Sequence, residues 1–535
     1  MAEVKLTIDG ISVNAHEGAL VIDAARSAGI HIPHYCYHPA LGNPGVCRLC
    51  LVEVEGAPKL QVACRLPVKD GMVVKTRSEA AKKAQAFSVE LHLVDHPLDC
   101  PVCDQAGECL LQDYYQRHAL HSSSVREDKL HKPKRVELGP NVMLDAERCI
   151  LCTRCVRFLD EITGTRELGV FQRGEEGEIA LTPGKRLDNP YAGNVVDLCP
   201  VGALTERDFR FQVRVWYLKS TPTLCTGCAR GCSILLQTNP ERRWHAGGRR
   251  AVRIKPRVNS SVNGWWICDE GRASWKAVDA PSRLKTPSWL KSGKAGAMAW
   301  EDAEKLLAAE LAELCRVRGP EGLAVVLSGT LSNEDLYAAK KLFVERLRAG
   351  RLLVKPGPDQ LGEEDGLLRR QARVPNLRGA QALGFGAALK ECSWDSLLED
   401  VLSGKVWGLW AVGRDPLAVW GEKGPAALSK LELTVHQAVH ASAFTQAARW
   451  VLPSASWAEQ DATFTNFQGR VQRARKALEP LGASRPDWRI FGGILRSLGG
   501  AWPHESPEPV FAELSLKEPA FAGLGFELPP EGASL

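Results

Sequence analysis

Fifteen of the seventeen cysteines fall before residue 269, in four groups whose spacing can bring thiols together. The first is Cys36, Cys47, Cys50 and Cys64, and the second is Cys100, Cys103 and Cys109. The third is Cys149, Cys152 and Cys155 with a distant Cys199, and the fourth is Cys225, Cys228, Cys232 and Cys268. A C-x2-C turn aims two thiolates at one centre, which suits zinc or an iron–sulfur cluster. Disulfides are the competing use of many cysteines, but they are not expected in a large chain without secretory character. Three groups are complete fours. The second has three cysteines, and the nearest further donor in "HPLDCPVCDQAGEC" is His96. Four centres with four protein ligands each need sixteen donors, and fifteen cysteines plus His96 supply them.

The elements around each group set expectations for its chemistry. Strands are expected at 3–8, 11–14, 50–55 and 59–63 and a helix near 19–28, with the first group on a Gly- and Pro-rich loop before "LCLVEVEG". That is the layout of a β-grasp ferredoxin holding a [2Fe–2S] centre, with ten residues between the first two cysteines instead of the plant-type four. His31, His34 and His38 beside Cys36 are expected to make loop hydrogen bonds or face solvent. The second group lies between two helical segments, "SEAAKKAQAFSVELHLVDH" with Ser78 as N-cap and "ECLLQDYYQRHAL", where Tyr114 and Tyr115 are expected to pack.

The third group keeps half of a two-cluster ferredoxin pattern. Each run of that pattern reads C-x2-C-x2-C-x3-C-P, its last cysteine serving the other cluster. Counting back from Cys199 gives Asn189, Ala192 and Val195, and counting on from Cys155 gives Leu159. One cluster's four ligands survive and the other's four are absent together, as in a one-cluster module. The fourth group, C-x2-C-x3-C with a distant cysteine, is similar to the cluster pattern that opens molybdopterin oxidoreductases. Structural zinc is the alternative for the first and fourth groups.

Composition bounds the rest. A 44% hydrophobic share supports several globular cores, and a net charge of +5 without a Lys/Arg run gives no nucleic-acid stripe. No stretch is apolar enough for a membrane helix, and "MAEVKLTIDGISVNA" reads as two strands around Gly10, not as a leader. Residues 278–300 read as a linker. Beyond them, "GLAVVLSGTLSNEDLYAAKKLFVERL" reads as strand, turn and helix of a doubly wound layer, and "VWGLWAVGRDPLAVW" as a second buried strand. No G-x-G-x-x-G or P-loop accompanies them. Cys315 and Cys392 are read as buried structural thiols, and Trp407, Trp410, Trp450 and Trp457 as core or subunit contacts.

The succession of a [2Fe–2S] site, H-x3-C-x2-C-x5-C, C-x2-C-x2-C…C-P and C-x2-C-x3-C…C resembles the large iron–sulfur subunit of bacterial respiratory complex I, over residues 1 to about 277. Residues 451–478, "VLPSASWAEQDATFTNFQGRVQRARKAL", are similar to a segment of the molybdopterin-oxidoreductase fold. The resemblance implies one [2Fe–2S] cluster on Cys36, Cys47, Cys50 and Cys64. It implies three [4Fe–4S] clusters, on His96, Cys100, Cys103 and Cys109, on Cys149, Cys152, Cys155 and Cys199, and on Cys225, Cys228, Cys232 and Cys268. The implied fold is α+β and α/β, multidomain. A β-grasp ferredoxin (1–77) leads to a helical cluster segment with one histidine and three cysteine ligands (78–117) and a bacterial-ferredoxin-like module (118–217). A molybdopterin-oxidoreductase-type cluster module (218–277) and a truncated, degenerate α/β scaffold (278–535) follow.

The implied role is relay of single electrons from a flavin- and NADH-binding partner toward downstream iron–sulfur subunits and quinone. The chain would work at the inner face of the plasma membrane, touching it only through the complex and binding no nucleic acid. No residue of this chain is expected to do substrate chemistry. Molybdopterin is not expected, because "CDEGR" places Glu270 where molybdenum enzymes usually carry Lys or Arg, and only residues 278–535 remain for the cofactor fold. A molybdenum-dependent formate dehydrogenase subunit, an NAD-linked hydrogenase subunit and a zinc-stabilised interaction protein are the alternatives.

Overall fold

The computed structural model describes residues 3–118, 121–291, 294–354, 356, 360–385 and 393–535. Cys392 lies outside the described residues. The chain divides into two compact units: residues 1–218 with 244–247, and residues 219–243 with 248–535.

The first unit opens with a five-stranded sheet in the order Ile11–His16, Glu3–Ile8, Val73–Lys75, Leu51–Val54, Gln61–Val62. Glu3–Ile8 runs parallel to Val73–Lys75 and antiparallel to Ile11–His16. Alternation drives this pairing: Leu6, Ile8 and Val13 point inward and meet Val21 and Ile22 of helix Val21–Ser27. Val73–Lys75 is a strand that local pattern alone does not announce. It is three residues long and exists through its pairing with Thr7 and Ile8 on one side and Glu53 and Val54 on the other.

Helix Glu79–Leu93 starts where expected, with the Ser78 hydroxyl accepting from Ala81 N at 3.2 Å. Leu110–His118 forms the second flanking helix. The rest of this unit is a three-stranded sheet (Leu204–Glu206, Val142–Leu144, Val136–Glu137), a two-stranded ribbon (Leu168–Phe171, Glu178–Leu181) and the short helices Arg154–Arg157 and Asn194–Leu198.

The second unit begins with the antiparallel strands Lys219–Leu224, Ser233–Thr238 and Ala251–Pro256. Its main sheet has seven strands in the order Lys294–Ala297, Ser288–Lys291, Trp450–Pro453, Leu433–Ala438, Gly408–Val412, Leu323–Leu327, Arg351–Leu353. The last five are mutually parallel, and helices cover both faces, so their strands are buried apolar runs such as "LAVVL" and "GLWAV". The linker expected at 278–300 is instead structured: it supplies the antiparallel hairpin at this sheet's edge, anchored by Trp289 stacking on Trp450 at 5.4 Å.

Trp407, Trp410 and Trp450 are buried, each with its indole N–H bonded, while Trp457 is only partly buried. Cys315 sits in helix Trp300–Arg318 as expected, but half-buried at the edge of the core, not inside it.

Candidate metal centres

Each cysteine group contains a residue in the left-handed region, within or beside a ligand turn. Arg48 (φ 54°) lies between Cys47 and Cys50, Leu151 (φ 50°) between Cys149 and Cys152, and Thr153 (φ 62°) between Cys152 and Cys155. Gly107 (φ 89°) precedes Cys109, and Gly231 (φ 63°) precedes Cys232. For Arg48, Leu151 and Thr153, which carry a Cβ, this conformation is costly. Alternating right- and left-handed residues turn consecutive backbone N–H groups toward one concavity, the geometry that stabilises an anionic group.

In the first group the thiols touch: Cys36 interacts with Cys47 and Cys64, and Cys50 with Cys64. All four are buried. Side-chain hydrogen bonds among the four thiols lower Cys36 and Cys50 and raise Cys47 and Cys64. The neighbouring histidines do what the loop requires. His34 Nδ1 donates to Ile32 O at 2.7 Å, His38 Nδ1 accepts from Ala40 N at 3.2 Å, and His31 Nε2 meets the Tyr114 hydroxyl at 3.0 Å. Tyr114 is fully buried against this loop, whereas Tyr115 is partly exposed.

His96, Cys100 and Cys109 line one cavity of about 470 Å³, with Leu98 and Tyr115 at its wall. Cys103 lies against Gly202, where a Cβ would stand 2.2 Å from its Sγ. Only glycine lets that backbone approach the sulfur. His96 Nδ1 is buried without a hydrogen-bond partner among the described residues. Burial, then the Arg148 charge, lowers the His96 ring to about 4, which keeps it neutral near pH 7. A neutral imidazole with a free ring nitrogen is the form that ligates metal. Cys100 is exposed, whereas Cys103 and Cys109 are buried, with burial raising Cys109 to about 12.

Cys149, Cys152, Cys155 and Cys199 all line one small pocket, with Leu204 of the 204–206 strand at its wall. Burial raises Cys149 to about 12, Cys152 to about 11 and Cys155 well above its ordinary value. Such thiols stay protonated until a positively charged centre offsets the cost of the buried thiolate.

The fourth group belongs to the second unit. Cys232 is electrostatically coupled to Cys225, Cys228 and Cys268. Gly227 N donates to Cys225 Sγ at 3.5 Å and Gly271 N to Cys268 Sγ at 3.4 Å, and a Cβ on Gly271 would meet Cys225 Sγ at 2.9 Å. The "ATFTNFQGR" segment holds this loop: Phe467 N donates to Ala229 O, and Asn466 Nδ2 to Arg230 O. Glu270 pairs with Arg373 at 3.4 Å.

Among the described residues no three His, Cys, Asp or Glu side chains close on one ion-sized point. Cluster ligands bind separate irons and need no such closure. The orphaned His96 nitrogen, the inward turns and the glycine cradles fit the donor sets to iron–sulfur clusters.

Spacing did not announce the arginines that hold these loops. Arg148 donates to Asp99 at 2.8 Å, and Arg214 donates from Nη1 to Cys103 O at 2.7 Å and from Nη2 to Pro101 O. Arg154 and Arg157 reach the Cys36 loop from the third group. For Arg148, Arg154 and Arg157 the local signal is a basic residue beside the ligands in "AERCILCTRCVRF", which composition alone assigns to a surface; Arg214 lies outside that segment.

These features define a protein built to hold several iron–sulfur centres ahead of an α/β domain of molybdopterin-oxidoreductase type. Family models agree segment by segment. Residues 1–79 match a 2Fe-2S iron-sulfur cluster binding domain, and residues 86–124 the NADH-ubiquinone oxidoreductase-G iron-sulfur binding region. Residues 139–205 match the ferredoxin-like domain of NADH-quinone oxidoreductase subunit 3, residues 218–280 the molybdopterin oxidoreductase Fe4S4 domain, and residues 388–496 molybdopterin oxidoreductase.

The mitochondrial NADH-ubiquinone oxidoreductase 78 kDa subunit of Neurospora crassa is 30% identical over 99% of this chain and 85% of its own. The G subunit of NADH-quinone oxidoreductase from Rickettsia felis is 29% identical over 92% of this chain and 88% of its own, and that of Streptomyces coelicolor 39% over 63% and 39%. A chain of an NAD+-reducing [NiFe]-hydrogenase is 33% identical over 40% of this chain and 92% of its own, with a TM-score of 0.37. The chain belongs to the family of the large iron–sulfur subunit, the G subunit, of NADH-quinone oxidoreductase.

Proposed function

We propose that this chain relays single electrons within an NADH:quinone oxidoreductase through four clusters. One is [2Fe–2S], on Cys36, Cys47, Cys50 and Cys64. Three are [4Fe–4S], on His96 with Cys100, Cys103 and Cys109, on Cys149, Cys152, Cys155 and Cys199, and on Cys225, Cys228, Cys232 and Cys268. The observation that carries the reading is the set of inward, left-handed turns at all four groups, within segments that match iron–sulfur family models. Bound clusters supply one-electron chemistry at potentials set by type, charge, hydrogen bonding and exposure. This chain's residues shield most of the thiolates, with Cys100 left exposed, aim N–H dipoles at them and, through His96, remove one negative charge from the second set.

Electrons enter from a flavin- and NADH-binding partner and leave toward downstream iron–sulfur subunits. The assembly sits at the inner face of the plasma membrane. Among the described residues no helix is long and apolar enough to cross a membrane, which is compatible with contact through partners. The five-part division at 77, 117, 217 and 277 follows the four ligand sets and the α/β scaffold. That scaffold carries no molybdopterin, a reading supported by Glu270 beside the fourth set and by the short length, residues 278–535, left for a cofactor fold. An acid there repels a phosphate-bearing cofactor.

Iron and sulfide counts with low-temperature EPR of the reduced protein test the assignment. About fourteen irons are expected from one binuclear and three tetranuclear centres. A colourless protein holding zinc and no acid-labile sulfide overturns it.

A further inference from the structure

We propose that Arg154 and Arg157 are positioning residues that bridge the first and third ligand sets, fixing the two centres together and raising both of their potentials. The proposal deepens the electron-relay reading and rests on both sets holding clusters.

Both arginines lie on the short helix Arg154–Arg157 that carries Cys155, three positions apart and so on neighbouring faces. Arg154 Nη2 donates to Tyr37 O at 2.5 Å and Nη1 to Leu198 O at 3.3 Å. Tyr37 follows Cys36, and Leu198 precedes Cys199. One planar guanidinium therefore joins the backbone beside a ligand of the first set to the backbone beside a ligand of the third. Arg157 adds two more contacts, Nη2 to Cys36 O and Nη1 to Gly42 O. A lysine has no fork that could make such paired contacts.

Charge makes the same point independently. Arg154 is 7% exposed, and among the described residues no carboxylate forms an ion pair with it or with Arg157. Glu161 is the acidic group within electrostatic reach of Arg157, as are the thiols of Cys36 and Cys152. A buried guanidinium cannot shed its proton, so it is costly unless an anion compensates it. Four thiolates make each centre anionic, and the two ligand sets flank these arginines. Arg154 Nε–H is also buried without an acceptor among the described residues. Adding an electron to either centre increases the negative charge that the two guanidiniums face. Reduction of both is thereby favoured.

The test is a redox titration of the full-length protein in its complex, following the EPR signals of the two centres in wild type, Arg154→Gln, Arg157→Gln and Arg154→Lys. Each glutamine variant is expected to lower the reduced-to-oxidised ratio of both centres about ten-fold at a fixed ambient potential, which is about 59 mV for a one-electron couple. Arg154→Lys is expected to recover most of that shift while changing the spin–spin broadening between the two signals, because charge returns but the paired contacts do not. A shift at one centre only, no shift at either, or an equal shift in the lysine variant overturns the bridge. Loss of iron from the first or third set in all three variants also overturns it, since the arginines would then be needed only for folding. Wild-type iron content and spectra judge the cluster assignment separately.

Discussion

His96 in the first unit and Glu334 in the second are both shielded titratable side chains, and they differ in what surrounds them. His96 Nδ1 is buried with no partner among the described residues, beside a cavity that two cysteines share. Glu334 is fully buried, yet Thr463 donates to it from both N and Oγ1 at 2.9 Å. Nearby, Asp335 accepts from Ser332 N and Trp488 N, and Asp487 accepts from Gln437 and Ser454. A buried polar group without a partner costs free energy that a ligand can recover, whereas a partnered one needs no ligand. The cysteine-rich unit leaves a donor atom open for an incoming group. The acids of the α/β scaffold are absorbed into its own packing.

The contrast breaks most visibly at Gly202. Gly202→Ala puts a Cβ at a position now 2.2 Å from Cys103 Sγ, so Cys103 must leave its place. The expected result is loss of about four irons from the total, one tetranuclear centre, with the other EPR signals intact. Unchanged iron would mean that Cys103 is not held by this contact.

A gentler change sharpens the role of the open nitrogen. His96→Cys exchanges a neutral ring for a thiolate, so the cluster is retained but its midpoint potential falls, the reverse of the rise that histidine ligation gives Rieske centres. Redox-titrated EPR reads this directly. An identical spectrum and potential would remove His96 from the coordination shell.

In the scaffold the corresponding test is pH. Burial pushes the Glu334 carboxyl from 4.5 up to about 8 and that of Asp487 from 3.8 to about 7, so both favour the protonated form in the folded state. Their contribution to stability is complete below the unfolded values and is lost as pH rises through the folded ones. Between about pH 6 and 8 the wild type should lose up to roughly 2–3 kcal/mol through Glu334 alone. Glu334→Gln keeps the shape without the titration, and its urea midpoint should fall less steeply over that range. Parallel pH profiles would show that Glu334 is charged in the native protein.

The smallest effect is expected at Glu270. Its pair with Arg373 is half-exposed, so Glu270→Lys should alter stability by less than about 1 kcal/mol. Elemental analysis should still find no molybdenum; its appearance in the variant alone would make this one charge the barrier to a pterin cofactor.

Local signals carried much of the architecture. The alternation of "VKLTI" and "ISVNA" places the first two strands, Ser78 starts its helix, and "LAVVL" and "GLWAV" lie in the parallel sheet. Periodicity and capping act over a few residues, so they are readable without knowing the fold. The 288–297 hairpin was not readable, because pairing with Trp450 and Val451 gives it its structure. The 73–75 strand is unreadable locally for the same reason, since distant strands on both sides define it.

The ligand sets divide in the same way. Sequence by itself named the candidate donors, because C-x2-C spacing is a property of one turn and a count of sixteen needs no coordinates. Only the tertiary structure decided what stands around them. Gly202 approaches Cys103 from almost a hundred residues away, and Arg154 ties Tyr37 to Leu198 across two modules. Candidate donors can be read from cysteine spacing and count. A site's charge, shielding and coupling to a neighbouring site arise from contacts between distant segments, which exist only once those segments pack.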